Sequence, residues 1–184
     1  MNKSVIFAGG CFWCVEHDLR EIPGVISVVS GYSGGHTENP TYAQVCSETT
    51  GHRESVEVVY NLEKVSFKKL CQFFLDHIDP TDAGGQFFDR GESYKTAIFY
   101  ADEDEKVVAE SLLKELEESG LYADKKITVD VLPKKTFYAA EDYHQNYAEK
   151  NPAHYGAYAQ GSGRVQFVAQ TCSVREQKKI NWKD

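Results

Sequence analysis

The sequence predicts a single α+β domain, an α/β sandwich in which helices flank one central β-sheet. Short apolar strands alternate with amphipathic helices along most of the chain. The length of 184 residues suits one domain. Hydrophobic residues make up 41% and charged residues 26% of the chain, which are ordinary globular values and exclude a disordered or fibrous protein.

The first elements form a strand–helix–strand unit. Residues 4–8 are a short apolar run that predicts a buried strand, and Gly9-Gly10 ends it. Helical spacing follows from Cys11 to about Arg20, and Pro23-Gly24 closes that helix. Residues 25–30 predict a second strand.

The middle of the chain repeats this pattern. Residues 55–60 alternate apolar and polar side chains, as a half-buried strand does. Between residues 67 and 78 apolar side chains recur at steps of three and four, which indicates a well-buried amphipathic helix. Another strand is predicted for residues 95–100.

The last third of the chain gives the remaining elements. Asp102 is a candidate N-cap for a helix with Val108, Leu112 and Leu116 on its inner face. Residues 127–131 alternate as a strand does, and residues 139–150 have helical spacing. We therefore expect one domain over residues 1–160 and an irregular C-terminal tail over residues 161–184.

Composition also restricts the partners and the compartment. The net charge of −8 argues against nucleic acid as a partner, and no apolar stretch is long enough to span a membrane. The cysteine count of five is odd, and no secretory signal precedes the first of them, so a disulfide framework is not indicated. We expect a cytoplasmic protein, in which cysteines are buried, metal-bound or catalytic.

The segment Gly9–Glu16 places two cysteines at a strand-to-helix turn. Cys11 lies near the first helical position, where unpaired N–H groups and the helix dipole favour a thiolate. Cys14 follows one helical turn later, within reach for a disulfide if that turn loosens. A zinc site would need a second ligand pair, which the sequence lacks, so we expect no metal. A buried structural pair and a redox-active thiol both remain open from these residues alone.

The turn also resembles a known family. Gly10-Cys11-Phe12-Trp13 is similar to the signature of the A-type peptide-methionine sulfoxide reductases, which act on the S epimer. Further family blocks follow in the same order up to about residue 156, and they are Gly31-Tyr32-Ser33-Gly34-Gly35, Asn39-Pro40-Thr41-Tyr42, Val45-Cys46, Thr50-Gly51-His52-Arg53-Glu54, His77-Ile78-Asp79-Pro80, Asp89-Arg90-Gly91-Glu92-Ser93-Tyr94, Ala140-Glu141-Asp142-Tyr143-His144-Gln145 and Lys150-Asn151-Pro152. The resemblance implies a mixed β-sheet flanked by helices around a ferredoxin-like core.

The resemblance implies a role for one thiol and one carboxyl group. Cys11 would attack the sulfoxide sulfur, and Glu54 would protonate the departing oxygen. Glu54 can do so near neutral pH only if burial raises its pKa. Taken alone, a glutamate at this position is more commonly a solvent-facing charge at a strand edge, and the other family blocks reverse that interpretation. His52 and His144 also match family blocks, and we expect them either to be structural or to support the residues that contact the substrate.

Five further positions match the family's substrate pocket. Tyr42 and Tyr94 would donate hydrogen bonds to the sulfoxide oxygen. Phe12 and Trp13 would hold the S-methyl group of the substrate. Asp89 would have a supporting role.

The remaining cysteines supply candidates for closing a disulfide with the Cys11 sulfenic acid. Cys14 is three residues away, and Cys172 lies in the predicted tail, where other family members carry a resolving cysteine. Both remain open. Cys46 and Cys71 are expected to be small core residues.

Taken together, the residues predict a monomeric cytoplasmic enzyme that reduces methionine sulfoxide, free or in oxidised proteins. We expect no bound cofactor, with thioredoxin or a small dithiol as the external reductant. Two alternatives come from other classes: a non-catalytic module that binds methionine sulfoxide or peptides, and a thiol or metal sensor built on Cys11 and Cys14.

Overall fold

The computed structural model describes residues 1–123 and 125–177. The strands are β1 (Asn2–Ala8), β2 (Val25–Ser33), β3 (Arg53–Asn61), β4 (Gly85–Gln86), β5 (Asp89–Arg90), β6 (Ala97–Tyr100), β7 (Asp130–Pro133) and β8 (Tyr138–Ala139). The helices are α1 (Phe12–Arg20), α2 (Tyr42–Cys46), α3 (Phe67–Asp76), α4 (Glu103–Glu118), α5 (Tyr147–Lys150), α6 (Pro152–Gly161) and α7 (Arg164–Gln177). Two 3₁₀ turns cover Glu92–Tyr94 and Asp142–His144.

The main sheet has the strand order β7-β6-β1-β3-β2-β8. Strand β1 pairs antiparallel with both β3 and β6, β2 pairs antiparallel with β3, and β7 adds parallel to β6. With α1 after β1 and α3 after β3, the inner strands form the β-α-β-β-α-β arrangement of ferredoxin-like folds. The mixed sheet and the ferredoxin-like core predicted above are therefore confirmed.

The two faces of the sheet are covered differently. Val5 and Phe7 point to the side on which α1, α3 and α4 pack, and Phe7 stacks on Phe74 of α3 with ring centroids 4.7 Å apart. Their neighbour Ile6 points to the opposite face, where it packs in a smaller cluster with Phe99 and Phe137. This alternation follows from the two-residue period of a strand.

The turn from β1 into α1 depends on glycine. Gly10 has φ +80°, a left-handed conformation that L side chains rarely adopt. A Cβ atom built on it would also lie 2.5 Å from the Cβ atom of Gln86 in β4. The glycine therefore lets β4 approach closely and places Cys11 at the N-cap of α1.

Most predicted elements are present, with one displaced. Helix α4 begins after Asp102, whose side chain accepts a hydrogen bond from the Glu105 N–H as a cap. The strand predicted for residues 127–131 instead begins at Asp130. Thr128 donates its N–H to the Pro80 carbonyl, and pairing along β6 starts only with the Asp130 N–H bond to Thr96.

The helix predicted for residues 139–150 is wrong. That segment contains β8, a 3₁₀ turn and only the short helix α5. The Gln145 side chain accepts from the Ser30 N–H and donates to the Ser30 carbonyl, which ties the segment to β2. Asn146 then takes a left-handed conformation with φ 55°, so a continuous helix cannot form.

The irregular tail predicted from residue 161 is also wrong over its described part. Residues 164–177 form α7, which packs on the domain through Phe167 against Phe87 and through an Arg175–Asp76 ion pair. Residues 178–184 of that predicted tail lie outside the described residues. In the part of the chain that is described, no helix combines the length and apolar character needed to cross a membrane.

Candidate active site

Two thiols face each other at the start of α1. Cys11 is partly accessible, whereas Cys14 is 1% exposed. The Cys11 thiol donates a hydrogen bond to the Cys14 sulfur, and the Cys14 N–H donates to the Cys11 carbonyl over 3.2 Å. The structure contains both as reduced thiols, as it does the other cysteines.

The two thiols have opposite pKa shifts. Burial raises the pKa of Cys11 well above its ordinary value, and the neighbouring Cys14 and Glu54 raise it further. The hydrogen bond from Cys11 lowers the pKa of Cys14, with help from Arg164 and the Tyr155 hydroxyl. Desolvation of Cys11 thus acts against the thiolate that the helix start is expected to favour at this position.

Glu54 reaches the same place from β3. It is 3% exposed, and its Oε2 accepts a hydrogen bond from the Phe12 N–H at 3.1 Å. Burial raises the pKa of Glu54 to about 8, and the nearby Asp89 acts in the same direction. The carboxyl group is thus protonated at neutral pH, and the interpretation of Glu54 as a solvent-facing charge is excluded.

Tyr42 and Tyr94 lie against this carboxyl group. The Tyr94 hydroxyl is hydrogen-bonded to Glu54 and to the Tyr42 hydroxyl. Tyr42 opens α2, and its N–H donates to Glu141 Oε1 at 2.9 Å. Burial raises the pKa of both phenols, so they are hydroxyl donors at neutral pH.

Ser93, next to Tyr94, anchors the 3₁₀ turn that contains both residues. The Ser93 hydroxyl donates to Glu48 Oε1 at 2.6 Å, and the Ser93 N–H donates to Glu48 Oε2 at 3.0 Å.

Cys46, at the end of α2, is exposed and is hydrogen-bonded to Tyr42, so the expectation that it is a core residue is wrong. Cys71 is buried as predicted.

An aromatic wall adjoins the thiols. Phe12 is 1% exposed and packs against Tyr42 and His144, with ring centroids 6.5 and 4.9 Å away. Trp13 stacks on Tyr147 at 3.8 Å with an interplanar angle of 7°. Both side chains therefore give the site an apolar surface.

His144 supports the aromatic wall, which is one of the two roles expected of it. Its Nδ1 accepts a hydrogen bond from the Trp13 indole N–H at 3.1 Å, which assigns the ring proton to Nε2. Burial lowers the pKa of His144, so the ring is neutral. The buried Nε2 has no hydrogen-bond partner among the described residues, which leaves one donor available beside Phe12 and Tyr42. His52, by contrast, accepts from the Gly35 N–H and contacts the Thr37 carbonyl, as a structural residue does.

Asp89 is joined to Cys11 by a residue that sequence reasoning missed. The Tyr158 hydroxyl on α6 donates to the half-buried Asp89 carboxylate and is also hydrogen-bonded to the Cys11 sulfur. Trp13 contacts the Tyr158 ring edge-on at 6.1 Å. The chain has eleven tyrosines, and nothing in the sequence distinguishes Tyr158 from the others except that it lies on a helix that begins at Pro152.

The C-terminal helices bring two more unpredicted residues to Cys14. Tyr155, on α6, donates a hydrogen bond to the Cys14 sulfur, and Arg164, at the start of α7, forms a buried ion pair with Asp18 of α1. Cys172 is not brought to the site in the same way. It is exposed on α7, eight residues beyond Arg164 and thus about 12 Å further along the helix axis.

The site is therefore a pair of thiols between a protonated carboxyl group, two phenols and an apolar wall. Such a set can attack an electrophilic sulfur, protonate a departing oxygen and close a disulfide. Across residues 1–123 and 125–177, no group of three or more His, Cys, Asp or Glu side chains is arranged to hold a metal ion.

Comparison with known proteins gives one consistent result. Residues 3–176 match the family described as peptide methionine sulfoxide reductase. The peptide methionine sulfoxide reductase MsrA of Bacillus velezensis is 55% identical over 162 residues, which cover 88% of this chain and 91% of that protein. Methionine sulfoxide reductase A of Corynebacterium diphtheriae has a similar structure, with a TM-score of 0.73 and 34% identity over 82% of this chain and 76% of its own. Mxr1 of Saccharomyces cerevisiae in complex with Trx2 gives a TM-score of 0.53 and 25% identity, covering 80% of this chain and 85% of that one.

Proposed function

Because this chain belongs to the peptide methionine sulfoxide reductase family, we propose that Cys11 is its nucleophile and Glu54 its general acid. The enzyme is a thiol-dependent oxidoreductase that reduces methionine sulfoxide to methionine, and thioredoxin recycles it. The observation that carries the assignment of roles is the protonated Glu54, which is buried beside the Cys11 thiol with a pKa of about 8.

The reductive step transfers one oxygen atom. The Cys11 sulfur attacks the sulfoxide sulfur as Glu54 gives its proton to the sulfoxide oxygen. The attack joins the Cys11 sulfur to the substrate sulfur, and the protonated oxygen then moves from the substrate sulfur to the Cys11 sulfur. The sulfur–sulfur bond breaks with its electron pair remaining on methionine, which leaves, and Cys11 is left as a sulfenic acid. The proton that Cys11 loses restores the Glu54 carboxyl group, so the step is balanced without a further reductant.

The surrounding residues bind and orient the sulfoxide. Tyr42 and Tyr94 donate hydrogen bonds to the sulfoxide oxygen as it gains negative charge. Phe12 and Trp13 form the apolar surface that holds the S-methyl group. Asp89, held by Tyr158, supports the side of the pocket next to Cys11.

Cys14 is the resolving cysteine in this proposal. Its sulfur already accepts a hydrogen bond from Cys11, so closure of the disulfide requires only a small loosening of the first turn of α1. Cys172, about 12 Å along α7 from the residue that contacts α1, would need a much larger movement. Thioredoxin then reduces the disulfide.

We also propose the finer features of the activity. The substrate is the S epimer of methionine sulfoxide, free or in oxidised proteins, in keeping with one enzyme for each epimer. The enzyme needs no bound cofactor and acts as a monomer in the cytoplasm, a reducing compartment in which catalytic cysteines are kept as thiols.

A thioredoxin-coupled assay with separated sulfoxide epimers tests this function. We expect turnover with a methyl S-sulfoxide and little with the R epimer, and peptide mapping after one equivalent of substrate should find a Cys11–Cys14 disulfide. Binding without turnover would instead support a non-catalytic binding module. Stoichiometric zinc in freshly purified protein would support the sensor alternative.

A further inference from the structure

A buried ion pair adjoins the resolving cysteine. Asp18 lies four residues after Cys14 on α1, so the two side chains are neighbours on one face of the helix. Arg164 at the start of α7 is 7% exposed and pairs with Asp18 through Nη2. The same nitrogen donates to the His77 carbonyl at 2.9 Å, which fixes the position of the guanidinium group.

Stability alone is a weak reason for this arrangement. Removing two charges from water is costly, and buried ion pairs can often be replaced by apolar residues without loss of stability. Beside Cys14, however, a fixed positive charge has a chemical consequence. A thiolate is stabilised by a nearby guanidinium group, and the thiolate is the form that attacks another sulfur.

A second residue acts on the same sulfur from the preceding helix. The Tyr155 hydroxyl on α6 donates a hydrogen bond to Cys14, and its ring packs against His17 of α1 with centroids 5.2 Å apart. A phenol donor favours the charged form of the thiol. Tyr155 and Arg164 therefore support the same protonation state of Cys14 from two different helices.

We propose that Arg164 and Tyr155 are positioning residues for disulfide closure, and that from α7 and α6 they favour the thiolate form of Cys14, the form that attacks the Cys11 sulfenic acid. This inference rests on the proposed function, in which Cys14 is the resolving cysteine. In the closing step the Cys14 sulfur bonds to the Cys11 sulfur, and the sulfur–oxygen bond of the sulfenic acid breaks. The oxygen leaves as hydroxide and takes up the proton that Cys14 had released, so the products are one disulfide and one water.

The pH dependence of this step depends on every charged or titratable group that faces Cys14. The groups that act on it most strongly are Cys11, Asp18, Tyr155 and Arg164, and Glu54 and Tyr158 also interact with it electrostatically. Arg164 is the cation of this set, and Asp18 opposes it. The two members of the ion pair therefore act on Cys14 with opposite signs, although both would serve equally to hold α7 on α1.

Single-turnover kinetics of the full chain separates the two steps. Reduced enzyme is mixed with one equivalent of a methyl S-sulfoxide, and methionine release is followed with time as the first phase. Loss of sulfenic acid to a dimedone-type probe reports disulfide closure as the second phase. The proposed function fails if the first phase is absent, whereas this inference concerns the second phase alone.

We expect Arg164→Gln to slow the second phase at pH 7 by roughly threefold to tenfold, because a higher pKa leaves less thiolate and is only partly offset by greater nucleophilicity. Its pH profile should move to higher pH, whereas Arg164→Lys, which keeps the charge, should stay close to wild type. Asp18→Asn should move the profile to lower pH. Tyr155→Phe should act in the same direction as Arg164→Gln.

The controls keep the inference falsifiable if one variant folds poorly. Arg175→Gln removes another ion pair from α7, made to Asp76 of α3, and should leave the second phase unchanged. Tyr155→Phe keeps the ring and its packing, so it tests the hydroxyl independently of α7. The inference is overturned if Arg164→Gln and Asp18→Asn shift the profile in the same direction, or if Arg164→Gln and Tyr155→Phe both close the disulfide at the wild-type rate.

Discussion

In the proposed mechanism, the ferredoxin-like core with its connecting segments and the C-terminal segment (residues 138–177) contribute to different halves of the reaction. The core places Glu54 on β3 beside Cys11, with Tyr42 and Tyr94 hydrogen-bonded around it. The C-terminal segment places Tyr155 and Arg164 at Cys14. On that proposal, the groups that reduce the substrate lie around the central sheet, and the resolving thiol takes its environment from helices packed on the surface of the core.

The difference extends to the kind of charge that each region supplies. Near Cys11 the core provides a neutral acid, which suits protonation of a departing oxygen. Near Cys14 the C-terminal segment provides a cation and a phenol donor, which suit a thiolate. Variants in the two regions should therefore fail at different steps.

Loss of the nucleophile should have the largest effect. We expect Cys11→Ser to abolish methionine formation even with a small dithiol as reductant, because no other thiol of the site takes its place against the aromatic wall. Cys14→Ser should still release methionine in the first turnover. Quantifying methionine per enzyme in a single turnover measures both. Equal loss in the two variants would show that the thiols do not divide the reaction in this way.

Loss of the general acid should come next. We expect Glu54→Gln to slow the reductive phase by roughly 10²–10⁴, the usual contribution of general acid catalysis. Glu57→Gln is the matched control, since it makes the same change on the same strand at a residue that pairs with Lys134 away from the thiols. A near-normal reductive rate for Glu54→Gln would reject the role of this carboxyl group.

The buried Glu54 should also make stability depend on pH. Its pKa is about 8 in the folded protein against an ordinary 4.5, so between these values the unfolded chain releases a proton that the folded chain keeps. The free energy of unfolding therefore falls as pH rises through this range. Since one pKa unit corresponds to about 1.4 kcal/mol, the loss is on the order of several kcal/mol.

Urea denaturation of wild type and Glu54→Gln at pH 5 and pH 8 measures this effect. We expect the variant to gain stability relative to wild type as pH rises, because glutamine does not ionise. Glu57→Gln again serves as the control and should follow wild type. A constant difference between wild type and Glu54→Gln at both pH values would mean that Glu54 is ionised in the folded protein throughout.

The sequence predicts the elements of the core better than those of the C-terminal segment. The strands and helices of the core have apolar side chains at clear periods, so β1, α1, β3, α3 and α4 were predicted close to their observed bounds. Residues 139–150 also have helical spacing, but Gln145 bonds to β2 and Asn146 turns left-handed, which only the tertiary structure reveals. The long-range hydrogen bonds of Gln145 outweigh the local helix propensity of residues 139–150.

The site residues also divide into those that the sequence predicts, in the core, and those that it does not, in the C-terminal segment. Cys11, Glu54, Tyr42 and Tyr94 each lie in a sequence motif. The family resemblance therefore predicts that they share one site, as they do in the structure. Tyr155, Tyr158 and Arg164 lie more than one hundred residues from Cys14 in sequence, and tyrosine and arginine are common surface residues. They lie close to the thiols because α6 and α7 pack on α1, and no local sequence pattern predicts that packing.

The smallest expected effects come from Tyr155 and Tyr158, and they give the sharpest comparison. Both lie on α6 and both have a hydroxyl hydrogen-bonded to a thiol, but Tyr155 bonds to Cys14, whereas Tyr158 bonds to Cys11 and also to the Asp89 carboxylate. Each Tyr→Phe variant removes one hydroxyl that is hydrogen-bonded to a cysteine sulfur, worth about 1.5 kcal/mol, or roughly tenfold in rate. Tyr158→Phe should slow methionine release and spare disulfide closure, whereas Tyr155→Phe should do the reverse.

Single-turnover kinetics of these two variants decides whether α6 serves both steps through separate contacts. Because the changes are identical and lie one helical turn apart, any general loosening of α6 would slow both phases in both variants. A crossed pattern can arise only if each hydroxyl acts on its own thiol. If both variants slow the same phase, the pair of sulfurs behaves as one coupled group, and the division between core and C-terminal segment does not extend to α6.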